Sequence, residues 1–386
     1  METPNEALVG PKYRSGSKAI TTEALAVSKF AAEVQKQSQP KHWSCLKSQQ
    51  RSENVTTKED VQMDLLKVKE LANQLKENVQ KVIVGKDETI DLLLVALISS
   101  GHVLLEDVPG TGKTLMAKTL AKSLSCSFKR IQFTPDLLPS DVTGIHFYNQ
   151  KIGEFEFRSG PIFTNIVLAD EINRATPRTQ SSLLECMEER QTTIDGETHF
   201  LDRPFMVIAT QNPLESQGTF PLPEAQLDRF LLKVHLGYPS KEEGMTILKR
   251  FKEGNPAEEI EAVADREQIL EAQQLYSHVH VSEDLYHYMM DIIEKTRSHE
   301  HIALGVSPRG SQALLRAVQA YAVIKGREYV IPDDVKAMVK PVLGHRILLT
   351  QMKRVGENQA YQILDDILGQ IRVPTEESIR KGLAAR

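Results

Sequence analysis

A short apolar run, His102-Val-Leu-Leu-Glu106, leads directly into a glycine-rich turn and then into helical periodicity to about Ser125. That order constrains the fold more than any other feature of the chain. An apolar run of strand length with no polar alternation reads as a strand covered on both faces, which requires a sheet with helices on each side. The turn, Glu106-Asp-Val-Pro-Gly-Thr-Gly-Lys-Thr114, holds the Gly-Lys-Thr core of a phosphate-binding loop. Gly110 and Gly112 let backbone N–H groups turn inward toward an anion at the helix N-terminus. Lys113 then reaches the β- and γ-phosphates of a nucleotide, and the Thr114 hydroxyl takes a place on Mg2+. The strict pattern has glycine where Asp107 stands, so this motif alone leaves a ligand-free turn open.

Strand-like runs recur at 129–133, 165–169, 205–209 and 231–236, with helical segments between most of them. The alternation predicts a parallel α/β sheet with helices on both faces. Asn165-Ile-Val-Leu-Ala-Asp170-Glu171 ends an apolar strand in two carboxylates, which cost free energy if buried without partners. Asp170 suits the water shell of Mg2+, and Glu171 suits the general base that activates an attacking water. Thr210 and Asn212 end the next strand as polar groups near a γ-phosphate. Farther on, Ser307-Pro308-Arg309 opens a helix, with Ser307 as N-cap and Arg309 in the first turn.

The chain divides into three parts. Residues 1–62 are polar, carry the only tryptophan (Trp43) and lack a second convincing element, so they are expected to be a disordered or loosely helical extension. Met63 opens a sequence like a natural start, which makes the preceding segment an appendage or a product of the chosen start codon. Residues 63–239 form the α/β part, including hairpins at 142–160 and at 191–203 around Asp195-Gly196. After residue 239 no strand pattern returns, and 240–386 read as helices and a tail. A net charge of -5 lowers the expectation of nucleic-acid binding. Cys45, Cys126 and Cys186 show no ligand or disulfide spacing, which fits free thiols in the cytoplasm. The eleven histidines are scattered; His278 and His280 alternate, but a solvent-facing helix end explains them.

Taken together, these residues resemble the AAA+ superfamily and, within it, the MoxR family. The resemblance runs from Val84-Gly85 to His345-Arg346. It is carried by Leu105-Glu-Asp-Val-Pro-Gly-Thr-Gly-Lys-Thr114, Leu168-Ala-Asp-Glu-Ile-Asn-Arg-Ala175 and Pro223-Glu-Ala-Gln-Leu-Asp-Arg-Phe230. In that family Glu-Asp precedes Val-Pro-Gly, so Asp107 is expected there. The resemblance implies a P-loop AAA+ module followed by an all-α lid. Val84 and Gly85 fall at the adenine, and Asp107, Val108, Pro109, Gly110, Thr111, Gly112, Lys113, Thr114 and Leu115 at the phosphates. It also implies that Asn212 is sensor 1, that Arg309 is sensor 2, and that Arg229 is an arginine finger for a neighbouring subunit. The hairpins correspond to the helix-2 insert and the pre-sensor-1 hairpin.

ATP hydrolysis with Mg2+ in a ring, expected to be a hexamer, follows from the resemblance. So does chaperone-like work on other proteins with a von Willebrand factor A domain partner. Two other classes remain at this point: a nucleotide-gated binding module without turnover, and a nucleic-acid-linked motor of the same superfamily. A small-molecule kinase is disfavoured by the second acid beside Asp170.

Overall fold

The computed structural model describes residues 58–106, 110–213, 218–254, 256–350 and 358–374. The expected extension therefore lies outside the described residues up to Lys58, as do Asp107, Val108 and Pro109 of the turn. Helix α1 (Lys58–Gln80) runs through Met63 rather than starting there. Its buried residues, Leu65, Val68, Leu71, Ala72, Leu75 and Val79, recur at the spacing of one helical face. Helix α2 (Asp87–Ile98) is apolar on nearly every side because it is enclosed on nearly every side: Leu93 to Ile98 are all 2% exposed or less.

The α/β part follows in the order β1 (Val103–Glu106), α3 (Lys113–Ser123), β2 (Phe128–Gln132), α4 (Pro139–Thr143), β3 (Gly144–Asn149) and β4 (Glu154–Ser159). It continues with β5 (Ile166–Asp170), α5 (Pro177–Glu189), β6 (Gln191–Ile194), β7 (Glu197–Phe200), β8 (Met206–Gln211), α6 (Glu224–Leu227) and β9 (Leu232–Val234). Five strands form one sheet in the order β2-β5-β8-β1-β9, and every pairing in it is parallel. Side chains alternate between its faces. Val103, Leu105, Ile166, Leu168, Met206 and Ile208 join one core; Leu104, Val167, Ala169, Val207 and Ala209 join the other. Both expected hairpins form, β3 with β4 and β6 with β7. Asp195 and Gly196 take φ of 51° and 88° in the second, as a two-residue turn with both centres left-handed requires.

The helical part comprises α7 (Lys241–Glu253), α8 (Pro256–Glu259), α9 (Arg266–Leu275), α10 (Glu283–Ser298), α11 (Pro308–Ile324), α12 (Pro332–Leu343) and α13 (Asn358–Gln370). It differs from the strand-free expectation in one detail: β10 (Ile302–Leu304) and β11 (Leu348–Leu349) make a small antiparallel ribbon. The first core continues without a break from the sheet through α1 and α2 into the buried face of α11. Asp91 of α2 reinforces that joint, accepting from Lys76 of α1 at 2.6 Å and from Lys325, just beyond α11, at 2.8 Å.

Candidate functional site

Parallel pairing brings the C-terminal ends of β1, β5 and β8 side by side, so the residues that follow them converge. The turn after β1 leads into α3, whose N-cap Gly112 has φ of 90°. Among the described residues, a Cβ built on Gly110 or Gly112 meets nothing within 4 Å. No acidic residue occupies the first turn of α3, so the positive field of the helix N-terminus there suits an anion.

Beside it, Asp170 is buried at the end of β5. Its Oδ1 accepts from the Thr210 hydroxyl at 2.5 Å, and its Oδ2 accepts from Arg130 Nε and Nη2 at 3.1 and 2.6 Å. Thr210 Oγ1 in turn accepts from the Glu171 backbone N–H at 2.8 Å, fixing both acids to β8. Glu171 has φ of 56°, a left-handed conformation that a residue with a Cβ adopts at a cost of roughly 1 kcal/mol or more. The turn carries its side chain away from the sheet core, where Oε2 accepts from Arg174 Nη1 at 2.9 Å and Gln132 Nε2 at 3.0 Å. Asn212 is buried immediately after β8.

Val84 and Gly85 lie between α1 and α2, against the start of the helical part. Gly85 has φ of 69°, and a Cβ there would lie 1.8 Å from Glu243 Oε1. Glu243 also closes the capping box of α7 with Ser240. Arg250 of the same helix donates to the carbonyls of Gln80 and Lys81 at 3.0 and 2.8 Å.

The two arginines are elsewhere. Arg229 Nη1 donates to the Leu184 carbonyl at 2.6 Å, and Arg309 pairs with Glu188. Both line an open cavity of about 540 Å³ with Gly101 and His102, at the N-terminal end of β1. The turn of Lys113 follows the opposite end, and the four residues of β1 separate the two ends by about 13 Å. Within one subunit, therefore, Lys113, Asp170, Glu171 and Asn212 form one group and Arg229 and Arg309 another.

The sequence profile of the ATPase family associated with various cellular activities (AAA) matches residues 102–232, and that of the AAA lid domain matches 294–367. Protein YeaC of Bacillus subtilis (strain 168), itself uncharacterized, is 51% identical over 302 residues, covering 78% of this chain and 94% of its own. Chaperone MoxR1 of Mycobacterium tuberculosis is 41% identical over 311 residues, covering 78% of this chain and 82% of its own. The chain belongs to the MoxR family of AAA+ ATPases. A crystal structure of a candidate ATPase from Cytophaga hutchinsonii superposes on this MoxR-family chain with a TM-score of 0.75. It is 39% identical and covers 81% of this chain and 98% of its own. Nucleotide binding belongs to the family.

Sequence reasoning missed several residues of this arrangement. Arg130 and Gln132 alternate along β2, but only the register that sets Gln132 beside Asp170 brings them to the acids. Arg346 closes the first turn after α12 with its side chain 3% exposed. It donates to Asp228 Oδ1 at 2.6 Å and to the carbonyls of Asp228, Phe230 and Leu231. Ser307 adds a bond to Asp228 Oδ2 at 3.2 Å. Two residues of the lid thus grip the segment that carries Arg229. His278 is exposed at a helix end as expected, whereas His280 departs from that expectation. It is half-buried, and its backbone bridges to the 328–330 segment, the N–H donating to the Glu328 carbonyl and the carbonyl accepting from the Val330 N–H.

Proposed function

We propose that this chain hydrolyses ATP at sites shared between neighbouring subunits of a closed ring, expected to be a hexamer. The observation that supports this most is the separation of the two groups by the length of β1. In a ring, the face bearing Arg229 and Arg309 of one subunit would meet the phosphate face of the next, so both arginines would serve the neighbour's nucleotide. Gly110 to Leu115 would cradle the phosphates, with Lys113 on the β- and γ-oxygens. The residues fit Mg2+ as well: a buried carboxylate, Asp170, stands beside the helix that begins with Lys113 and Thr114. When bound, Mg2+ neutralises phosphate charge. Thr114 and Asp170 would hold it, with Thr210 keeping Asp170 oriented.

Glu171 would accept the proton of the attacking water once Arg174 and Gln132 release it, and Asn212 would orient that water. Arg229 and Arg309 would stabilise charge developing on the γ-phosphoryl group. The grip of Arg346 and Ser307 on Asp228 would couple lid movement to Arg229, and so one subunit's nucleotide state to the next subunit's chemistry. Such motion would act on client proteins in a chaperone-like way, through a partner with a von Willebrand factor A domain. The relative named Chaperone MoxR1 supports the chaperone-like part of that reading. A cytoplasmic location belongs to it too, supported by cysteines without disulfide spacing.

The test measures ATP turnover per subunit against protein concentration, alone and in mixtures of Glu171→Gln with Arg229→Ala. Each variant should be nearly inactive alone, and the mixture should regain activity at interfaces that pair an intact Glu171 with an intact Arg229. Turnover independent of concentration, with no recovery on mixing, would reject the shared site. ATP binding without turnover in the parent would favour the nucleotide-gated module.

A further inference from the structure

The two hairpins meet at a cluster that the nucleotide chemistry does not use. His146 of β3 faces Glu197 and His199 of β7, and one ligand atom from each lies within 4.8 Å of the others. Glu197 and His199 are two apart on one strand and so share a face. His146 Nδ1 is 3.0 Å from Asp195 Oδ2, and its Nε2 is 3.7 Å from Glu197 Oε2. If Nδ1–H donates to Asp195, the Nε2 lone pair points at a carboxylate oxygen. Two electron-rich atoms in that relation call for a positive charge between them.

A second, separate observation concerns His199. Its Nε2 is buried with no hydrogen-bond partner among the described residues, an arrangement that costs free energy when nothing fills it. The ring is not free to turn away. It stacks on Phe157 with centroids 4.2 Å apart, and Phe163 lies edge-on at 6.2 Å.

We propose that His146, Glu197 and His199 bind a divalent transition-metal ion of the Zn2+ class, stapling the two hairpins together. Two imidazoles and a carboxylate are a donor set for zinc, and they discriminate against Mg2+ and Ca2+, which take oxygen ligands. Bonds of about 2.05 Å at tetrahedral angles set ligand atoms about 3.3 Å apart, so the 3.7 Å pair needs only a small closing movement. Asp195 is then the outer carboxylate that fixes the His146 tautomer and orients its ring. Glu197 is 72% exposed on its side chain, which leaves the ion a path from solvent and a position for water. This site stands independently of the reading of ATP turnover.

The test uses the full chain, stripped with a chelator, dialysed and titrated with Zn2+ by calorimetry in excess Mg2+. One saturable Zn2+ per chain is expected, with affinity at least tenfold weaker in His146→Ala and in His199→Ala and unchanged in His287→Ala. Asp195→Asn should weaken it by about tenfold, as outer-shell changes do. Zn2+ should also raise the thermal midpoint of the parent but not of His199→Ala, which tests the staple with the metal-free proteins as their own folding control. Absence of one-per-chain binding, or binding equal to the parent in both histidine variants, would overturn the proposal. The second outcome would assign the metal to other groups such as His299 and His301.

Discussion

His102 stands at the foot of β1 with both ring nitrogens engaged: Nδ1 accepts the Val207 N–H at 2.9 Å, and Nε2 donates to the Met187 carbonyl at 3.0 Å. Burial lowers its pKa from 6.5 to about 4, so the folded protein holds it neutral where the unfolded chain would protonate it. Its contribution is complete above pH 6.5 and is lost as pH falls from there through about 4, at most about 3 kcal/mol in all. His102→Gln should lower stability at pH 7.5 by about 1–3 kcal/mol, because one buried backbone group loses its partner. It should also flatten the decline between pH 6.5 and 4; urea denaturation at both ends of that window checks the pair of effects. Arg346 makes a stronger case. Burial lowers its pKa to about 10 against the opposing pull of Asp228, so its charge persists through neutral pH. Arg346→Ala would strand Asp228 and several carbonyls, and should cost about 3 kcal/mol or more, read as a fall in the denaturation midpoint.

At the scale of elements, the ends of helices decide how the lid is attached. Ser307 caps α11 by accepting the Gly310 N–H at 3.2 Å while it also holds Asp228. Ser307→Ala should therefore cost about 1 kcal/mol as a lost cap, and should reduce ATP turnover more than ATP binding if Asp228 positions Arg229. The start of α7 is set against Gly85, where both conformation and space exclude a side chain. Gly85→Ala should lower stability by about 1–2 kcal/mol in thermal unfolding. Adding Glu243→Ala should restore only part of that loss, because the left-handed backbone remains strained after the overlap is removed. Cys126 and Cys186 are counterexamples to reactivity. Burial raises both thiols to a pKa of about 11, so neither is a ready nucleophile or metal ligand at neutral pH.

Across the whole molecule, one apolar core passes from the sheet through α1 and α2 into α11. A core shared in this way cannot be lost from one part while the other keeps its packing. Far-ultraviolet and tyrosine circular dichroism should therefore report coincident urea transitions for the described unit. Two separate transitions would show that α11 packs more weakly on α2 than its burial implies. The same continuity bears on motion. The 228–231 segment gripped by Arg346 and the joint held by Asp91, Lys76 and Lys325 are both bound to the helical part and should move with it.

The sequence by itself determined the strand–turn–helix at Lys113, the parallel sheet and both hairpins. Each of these rests on local rules: an unbroken apolar run, glycine where φ is positive, and Asp-Gly at a two-residue turn. The acid pair Asp170-Glu171 was legible for the same reason, since charge at the end of a buried strand stands out against its context. Tertiary structure alone decided which partners those acids have, because Arg130 and Gln132 reach them through strand register and leave no periodic trace. It alone set Arg229 and Arg309 at the far end of β1 from Lys113, a separation fixed by how Leu231 pairs with His102. It alone brought His146 to His199, 53 residues away along the chain, because two hairpins that are each locally encoded pack against one another by contacts no local rule specifies.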